Sequence, residues 1–131
     1  MKLMQLIYAS TPFGFSNPVL NTILSRSRHN NARDKITGAL VCRADLYLQL
    51  LEGPRDKVTA AFHRILGDDR HDNVTLIACD DITFRQFPDW HMRDDPARSW
   101  MWTQTQVAEG ALEKASAKDV REVFERLKRE G

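Results

Sequence analysis

The stretch ITGALVCRADLYLQLLEG, Ile36 to Gly53, decides how this chain folds. Ile36 to Cys42 is an apolar run, Arg43-Ala44-Asp45 is a polar break, and Leu46 to Glu52 is a second apolar run. The pattern predicts two strands around a tight connection, a β-hairpin. Along the second strand, side chains alternate between faces, with Leu46, Leu48 and Leu50 on one and Tyr47, Gln49 and Leu51 on the other. Both faces are therefore largely apolar, and a sheet built on this strand needs cover on both sides.

The flanking sequence supplies the rest of that sheet. Leu3 to Ala9 reads as a strand closed by the turn residues Ser-Thr-Pro-Phe-Gly. Asn17-Pro18 is a helix start, and Val19, Leu20, Ile23, Leu24 and Ser27 recur at helical spacing, predicting a helix from Pro18 to His29. Gly53-Pro54 repeats the start signal, and Val58, Ala61, Phe62, Ile65 and Leu66 mark a second helix closed by Gly67. Val74 to Cys79 reads as a fourth strand, and Phe87 to Arg93, with Trp90 and Met92 on one side, as a fifth. The order predicts an α+β fold: a ferredoxin-like β-α-β-β-α-β sheet with an added strand and both helices on one face. Beyond Asp94 the chain turns polar. Gln104 to Ala115 is helical and interrupted by Gly110, and Ser116 caps a helix whose Val120, Val123, Phe124 and Leu127 form an apolar stripe. The segment Ser116 to Lys128 is expected to cover the second face of the sheet, so the chain divides into residues 1–93 and a helical extension, 94–131.

Composition narrows the function. With 131 residues, 42% hydrophobic and 28% charged, the chain has the make-up of one globular domain. Nineteen Lys and Arg against eighteen Asp and Glu leave a net charge of +1, so bulk charge gives no ground for nucleic-acid binding. No apolar run approaches the ~20 residues of a membrane span, and the amino terminus enters strand-like sequence directly, so a cytoplasmic protein is expected. Cys42 and Cys79 are far apart without CxxC spacing and read as buried free thiols. His29, His63, His71 and His91 lie on separate elements, which predicts no metal site. Phosphate loops, GxGxxG, HExxH and GxSxG are all absent. The unusual feature is Gln49, an amide inside an apolar strand with up to four hydrogen bonds to satisfy if buried. Tyr8, near the end of the first strand, and Asn30-Asn31, just past the first helix, are placed to satisfy it. Taken singly, a strand Gln is commonly at the surface and a strand Tyr in the core with its hydroxyl at the edge.

Six blocks taken together say more. Leu6-Ile7-Tyr8-Ala9-Ser10, Ser27-Arg28-His29-Asn30-Asn31, Ile36-Thr37-Gly38-Ala39-Leu40, Leu48-Gln49-Leu50-Leu51-Glu52-Gly53, Asp68-Asp69-Arg70-His71 and Phe87-Pro88-Asp89-Trp90-His91-Met92 resemble, in order, the BLUF family of blue-light sensors using FAD. The resemblance runs from about residue 3 to 93 and implies a flavin-binding photosensor domain with a non-covalent flavin between its two helices, FMN or riboflavin being tolerated in place of FAD. It further implies that Tyr8 is the photochemical electron donor and Gln49 the amide between Tyr8 and the ring. Asn31 would meet the polar edge of the ring, Asn30 the ribityl side, and Ser27 would lie near Gln49 and Trp90. Arg70 and His71 would flank the pyrimidine edge, Asp68 is the acidic residue of that turn, and Ile23 and Ile65 would sandwich the ring. Periodicity alone makes Ile23 and Ile65 ordinary core. Trp90 and Met92 match residues of the signal relay. No output domain is recognisable after residue 93, so a short, stand-alone, non-enzymatic sensor is expected, forming a homodimer and signalling through its tail or an unknown protein partner. Trp100 and Trp102 carry no family role, and packing is expected of both. Two other readings of the fold are disfavoured. An acyl phosphatase would need a phosphate-cradling loop where Ser10 to Pro18 holds Phe13 and Phe15, and an RNA-recognition module would need exposed aromatic pairs on basic central strands.

Overall fold

The hairpin lies at the centre of the sheet. The computed structural model describes residues 2–12, 17–68 and 71–130. Strand β1 (Leu3–Pro12) leads into helix α1 (Asn17–Asp34), and β2 (Thr37–Arg43) and β3 (Leu46–Pro54) then pair antiparallel. Gly38 permits that pairing, because a side chain there would run into the Leu50 carbonyl of β3. On its other side β3 pairs antiparallel with β1, which sets Tyr8 directly opposite Gln49. Helix α2 (Arg55–Leu66) leads to β4 (His71–Ile82), and β5 (Arg93–Pro96) runs parallel to β2. The sheet order is β4-β1-β3-β2-β5. Every residue of β3 is buried, as a central strand covered on both faces requires.

The alternation along β3 sorts the cover. Tyr8, Leu40, Tyr47 and Leu51 face the side on which α1 contributes Leu24 and α2 contributes Val58 and Ala61. Ile7, Ala9, Val41, Leu46, Leu48 and Leu50 face the other. There the short helices α3 (Gln104–Ala108) and α4 (Ala111–Lys114), joined through left-handed Gly110 at φ 91°, lead into α5 (Ala117–Glu130). Ser116 accepts the Asp119 N–H at 3.1 Å ahead of α5, as a capping hydroxyl should. Val120, Phe124 and Leu127 are fully buried on the sheet, each stabilising the fold by ~1.5 to 3 kcal/mol. An Arg121–Asp80 ion pair ties α5 to β4, and Trp100 and Trp102 pack against the same core. The expected α+β architecture, with two helices on one face and the carboxy-terminal helix on the other, is the observed one.

Several boundaries differ from those expected. The first helix runs past His29 to Asp34 because its end is set by backbone geometry and not by the apolar stripe. Lys35 turns left-handed at φ 60°, the Ile36 N–H returns to the Asn31 carbonyl at 2.9 Å, and Ile36 is fully buried. Asn30 and Asn31 therefore lie on the helix, not beyond it. Gly53-Pro54 ends β3, and α2 begins one residue later with Pro54 as a cap that makes no side-chain hydrogen bond. The fourth strand is longer than Val74 to Cys79. It is also an edge strand, so Cys79 is exposed, whereas Cys42 is buried as expected.

The fifth strand begins only at Arg93, because the residues before it find other partners. The buried carboxylate of Glu52 accepts the backbone N–H of Gln86 at 2.9 Å and of Phe87 at 2.8 Å, and the Gln5 amide at 3.0 Å. The Trp90 carbonyl accepts from Gly38 N–H at 2.9 Å, and Pro88 has no N–H to offer a ladder. Trp90 and Met92 consequently do not share a side: Met92 is buried, while Trp90 is 52% exposed. Among the described residues no helix is long and apolar enough to cross a membrane, and no group of three or more His, Cys, Asp or Glu side chains could hold a metal.

Candidate functional site

A cavity of about 620 Å³ opens between α1 and α2 above β3, lined by Ser27, Asn30, Asn31, Gln49, Ile65 and Asp68 among others. A recess of about 60 Å³ continues inward, sharing Ser27, Gln49, Ile65 and Asp68 and adding Tyr8, Ile23, Leu40, Tyr47 and His71. Each side chain arrives there by simple geometry. Tyr8 and Gln49 are cross-strand neighbours of β1 and β3. Ser27, Asn30 and Asn31 follow at helical spacing from Ile23 on α1, and Ile65 sits in the last turn of α2.

The hydrogen bonding at the floor is specific. The Tyr8 hydroxyl donates to Gln49 Oε1, and Gln49 Nε2 donates to Met92 Sδ at 3.3 Å. Gln49 is thus satisfied by Tyr8, as expected. The asparagines do not share that role: Asn31 Nδ2 donates to the His91 carbonyl at 2.7 Å. The Tyr8 ring packs against Phe62, 5.6 Å away and tilted, and against His71, 6.3 Å away and near perpendicular. Burial, reinforced by the nearby Asp68 and Tyr47, pushes the Tyr8 phenol well above its ordinary pKa, so it stays protonated. His71 spans two elements, Nδ1 meeting Ser10 Oγ at 2.8 Å and Nε2 the Ile65 carbonyl at 2.8 Å.

The cavity and its recess therefore gather Tyr8, Ile23, Ser27, Asn30, Asn31, Gln49, Ile65, Asp68 and His71. Arg70 lies outside the described residues. Met92 reaches the site through Gln49, while Trp90 lines neither cavity nor recess. Sequence reasoning passed over Phe62, Glu52 and Arg28, whose guanidinium holds the Met92 carbonyl at 3.1 Å and Asp94 at 2.7 Å. Glu52 carried the same signal as Gln49, a polar residue within a largely apolar strand. Arg28 carried none, since its partners lie more than sixty residues away. The volume falls in the range of small-molecule sites, and aliphatic walls from two helices around buried amides suit a flat heteroaromatic ring with a polar edge. The residues present fit a flavin.

Comparison with known proteins agrees. Residues 3–93 match the family described as BLUF, sensors of blue-light using FAD. Over 69 residues, 53% of this chain, it is 36% identical to the photoactivated adenylate cyclase subunit beta of Euglena gracilis. Over 68 residues, 52% of the chain, it is 31% identical to the blue light- and temperature-regulated antirepressor BluF of Escherichia coli. These alignments span only 8% and 17% of the two relatives. The dark-state structure of the BLUF protein BlrB superposes with a TM-score of 0.78 at 29% identity, covering 99% of this chain and 98% of that one. On the strength of the family match over most of its length, this chain belongs to the BLUF family of blue-light flavin sensors.

Proposed function

We propose that this chain is a blue-light photoreceptor that holds FAD non-covalently between α1 and α2, accepting FMN or riboflavin in its place, and that Tyr8 and Gln49 are its photochemical residues. One observation carries the reading: at the floor of the cavity the buried Tyr8 hydroxyl donates to the buried Gln49 amide oxygen. A bound flavin supplies a blue-absorbing ring whose excited state is a strong oxidant. Tyr8 is the donor, because a phenol can release an electron and a proton together, and its raised pKa keeps that proton in place beforehand. Both return in the dark, so no product accumulates and the chain itself is not an enzyme. Gln49 presents one acceptor and one donor group, and its rearrangement exchanges which of them Tyr8 meets. A hydrogen bond that the rearranged Gln49 donated to a carbonyl of the ring would shift the ring's absorption to the red. Asn31 and Asn30 would hold the polar edge and ribityl side, Ile23 and Ile65 the ring faces, with Ser27, Asp68 and His71 around them.

The signal leaves through Met92. When Gln49 turns, Met92 Sδ loses its amide donor. Met92 directly precedes β5, just beyond which the Ala97 N–H donates to the Cys42 carbonyl at 3.3 Å before the chain reaches Trp100, Met101 and the core under α5. Residues 1–93 act as the sensor and 94–131 as its output extension, toward a second copy of the chain or a downstream protein partner. The test is the purified protein loaded with FAD. It should be yellow, shift to the red in blue light and recover in darkness, with light-dependent hydrogen exchange in residues 94–131. Tyr8→Phe and Gln49→Leu should each keep flavin and lose the shift. A chain that takes up no flavin overturns the reading, a normal photocycle in Tyr8→Phe overturns the donor assignment, and identical exchange in light and dark overturns the output route.

A further inference from the structure

Ser10 is 4% exposed, at the end of β1 where the pairing with β4 slips between Ala9 and Thr11. Such an irregularity re-aims a side chain relative to a regular strand, and here Ser10 Oγ lies 2.8 Å from His71 Nδ1. The opposite ring nitrogen, Nε2, is 2.8 Å from the Ile65 carbonyl oxygen, which can only accept. Nε2 therefore carries hydrogen, and in the neutral ring Nδ1 accepts from the Ser10 hydroxyl. The imidazole is pinned at both nitrogens, to β1 on one side and to the last turn of α2 on the other. In that orientation it forms a wall against the Tyr8 ring, near perpendicular at 82° with centroids 6.3 Å apart, and Phe62 packs on the same ring at 5.6 Å.

We propose that Ser10 is a positioning residue for the photochemical pair, acting through His71: its hydroxyl fixes the imidazole that walls Tyr8 and anchors the Ile65 carbonyl beside the ring cavity. This rests on the photoreceptor reading above. Without the hydroxyl the imidazole turns about its last side-chain bond, Tyr8 loses a wall, and fewer excitations find the donor aligned.

The experiment compares FAD-loaded wild type, Ser10→Ala, Ser10→Thr, His71→Gln and the Ser10→Ala/His71→Gln double variant by the quantum yield of the red shift. The imidazole ¹⁵N resonances of His71 are recorded wherever it is retained. Ser10→Ala should lower the yield about fivefold, the weight of one hydrogen bond, and move the Nδ1 resonance, whereas Ser10→Thr keeps the hydroxyl and stays near wild type in both. In the His71→Gln background Ser10→Ala should add nothing, the signature of two residues acting as one unit. Should Ser10→Ala fail to fold, Ser10→Cys, similar in size but a weaker donor, replaces it with an intermediate loss expected. An undiminished yield in the hydroxyl-deficient variant, or a loss that persists in full without His71, overturns the proposal. A wild type that binds FAD without any red shift instead overturns the photoreceptor reading, while the ¹⁵N comparison still decides whether Ser10 orients His71.

Discussion

The two faces of the sheet are made from alternate residues of the same strands, yet they are built differently. Under α5, Leu48, Leu50, Phe87, Val120, Phe124 and Leu127 are each at most 2% exposed, with Phe87 and Phe124 packed edge to face at 6.3 Å. Under α1 and α2 the strands present Tyr8 and Gln49, α1 adds Asn31, and Ile23, Phe62 and Ile65 are only partly buried around a cavity. Consecutive residues of β3 thus serve opposite purposes, Leu48 and Leu50 closing a dry core while Gln49 faces the site. A chain this small can keep a loosely packed site because the stabilising contacts sit one sheet thickness away.

The sharpest test of that division is Phe124→Ala, which should cost ~3 to 5 kcal/mol in urea unfolding, as truncation of a buried aromatic does. Ile23→Ala, on the cavity side, should cost less than half as much in the flavin-free protein. Equal losses would mean the two faces share the load and would break the comparison. A smaller effect of different kind is expected from Asn31→Ala. It strips a polar group from the cavity lining and should weaken flavin binding by ~1 to 3 kcal/mol, read by flavin fluorescence titration, while loss of its hydrogen bond to the His91 carbonyl costs ~0.5 to 1.5 kcal/mol of stability in the flavin-free protein. The smallest lies at the mouth between the helices. Arg33, hydrogen-bonded to Asp34 at 3.0 Å, holds that carboxyl below the ordinary carboxylate range, and Arg64 of α2 reaches it at 3.4 Å. Because the folded pKa is the lower one, the contribution is present above pH ~4 and is lost as pH falls through the folded value. Asp34→Asn should therefore cost ~0.2 to 1 kcal/mol at neutral pH and nothing in strong acid, measured by thermal unfolding at both.

The division was legible in the sequence to the extent that period-two alternation writes it. The hairpin at 36–53 gave the central strand, its two apolar faces and the need for a second cover, and the stripe Val120, Val123, Phe124 and Leu127 supplied that cover. Tyr8 opposite Gln49 followed once the strands were paired. What escaped was set by contacts distant along the chain. Glu52 captures the amides of Gln86 and Phe87 and so denies Phe87 to Met92 a place in the sheet. Lys35, an ordinary residue in a left-handed turn, ends α1 without a glycine to announce it. Asn31 turned out to hold the His91 carbonyl instead of Gln49 because the helix carries it one turn further than expected.

The parallel placement of β5 has a consequence in time as well as in space. The β2–β3 hairpin closes over the two residues Ala44 and Asp45 and can form early, whereas Arg93 meets Ala39 only after the whole of β3, α2 and β4 has been looped out. Loop-closure entropy must be met before so distant a pairing returns anything, and β5 is four residues long. The β1–β4 pairing is more distant still but joins two long strands, whereas β5 is a four-residue edge strand, so the strand that begins directly after Met92 is expected to be the last to join the sheet during folding and the first to leave it in native-state fluctuations. Amide exchange in the dark should accordingly be faster across Arg93 to Asp94 than anywhere in β3.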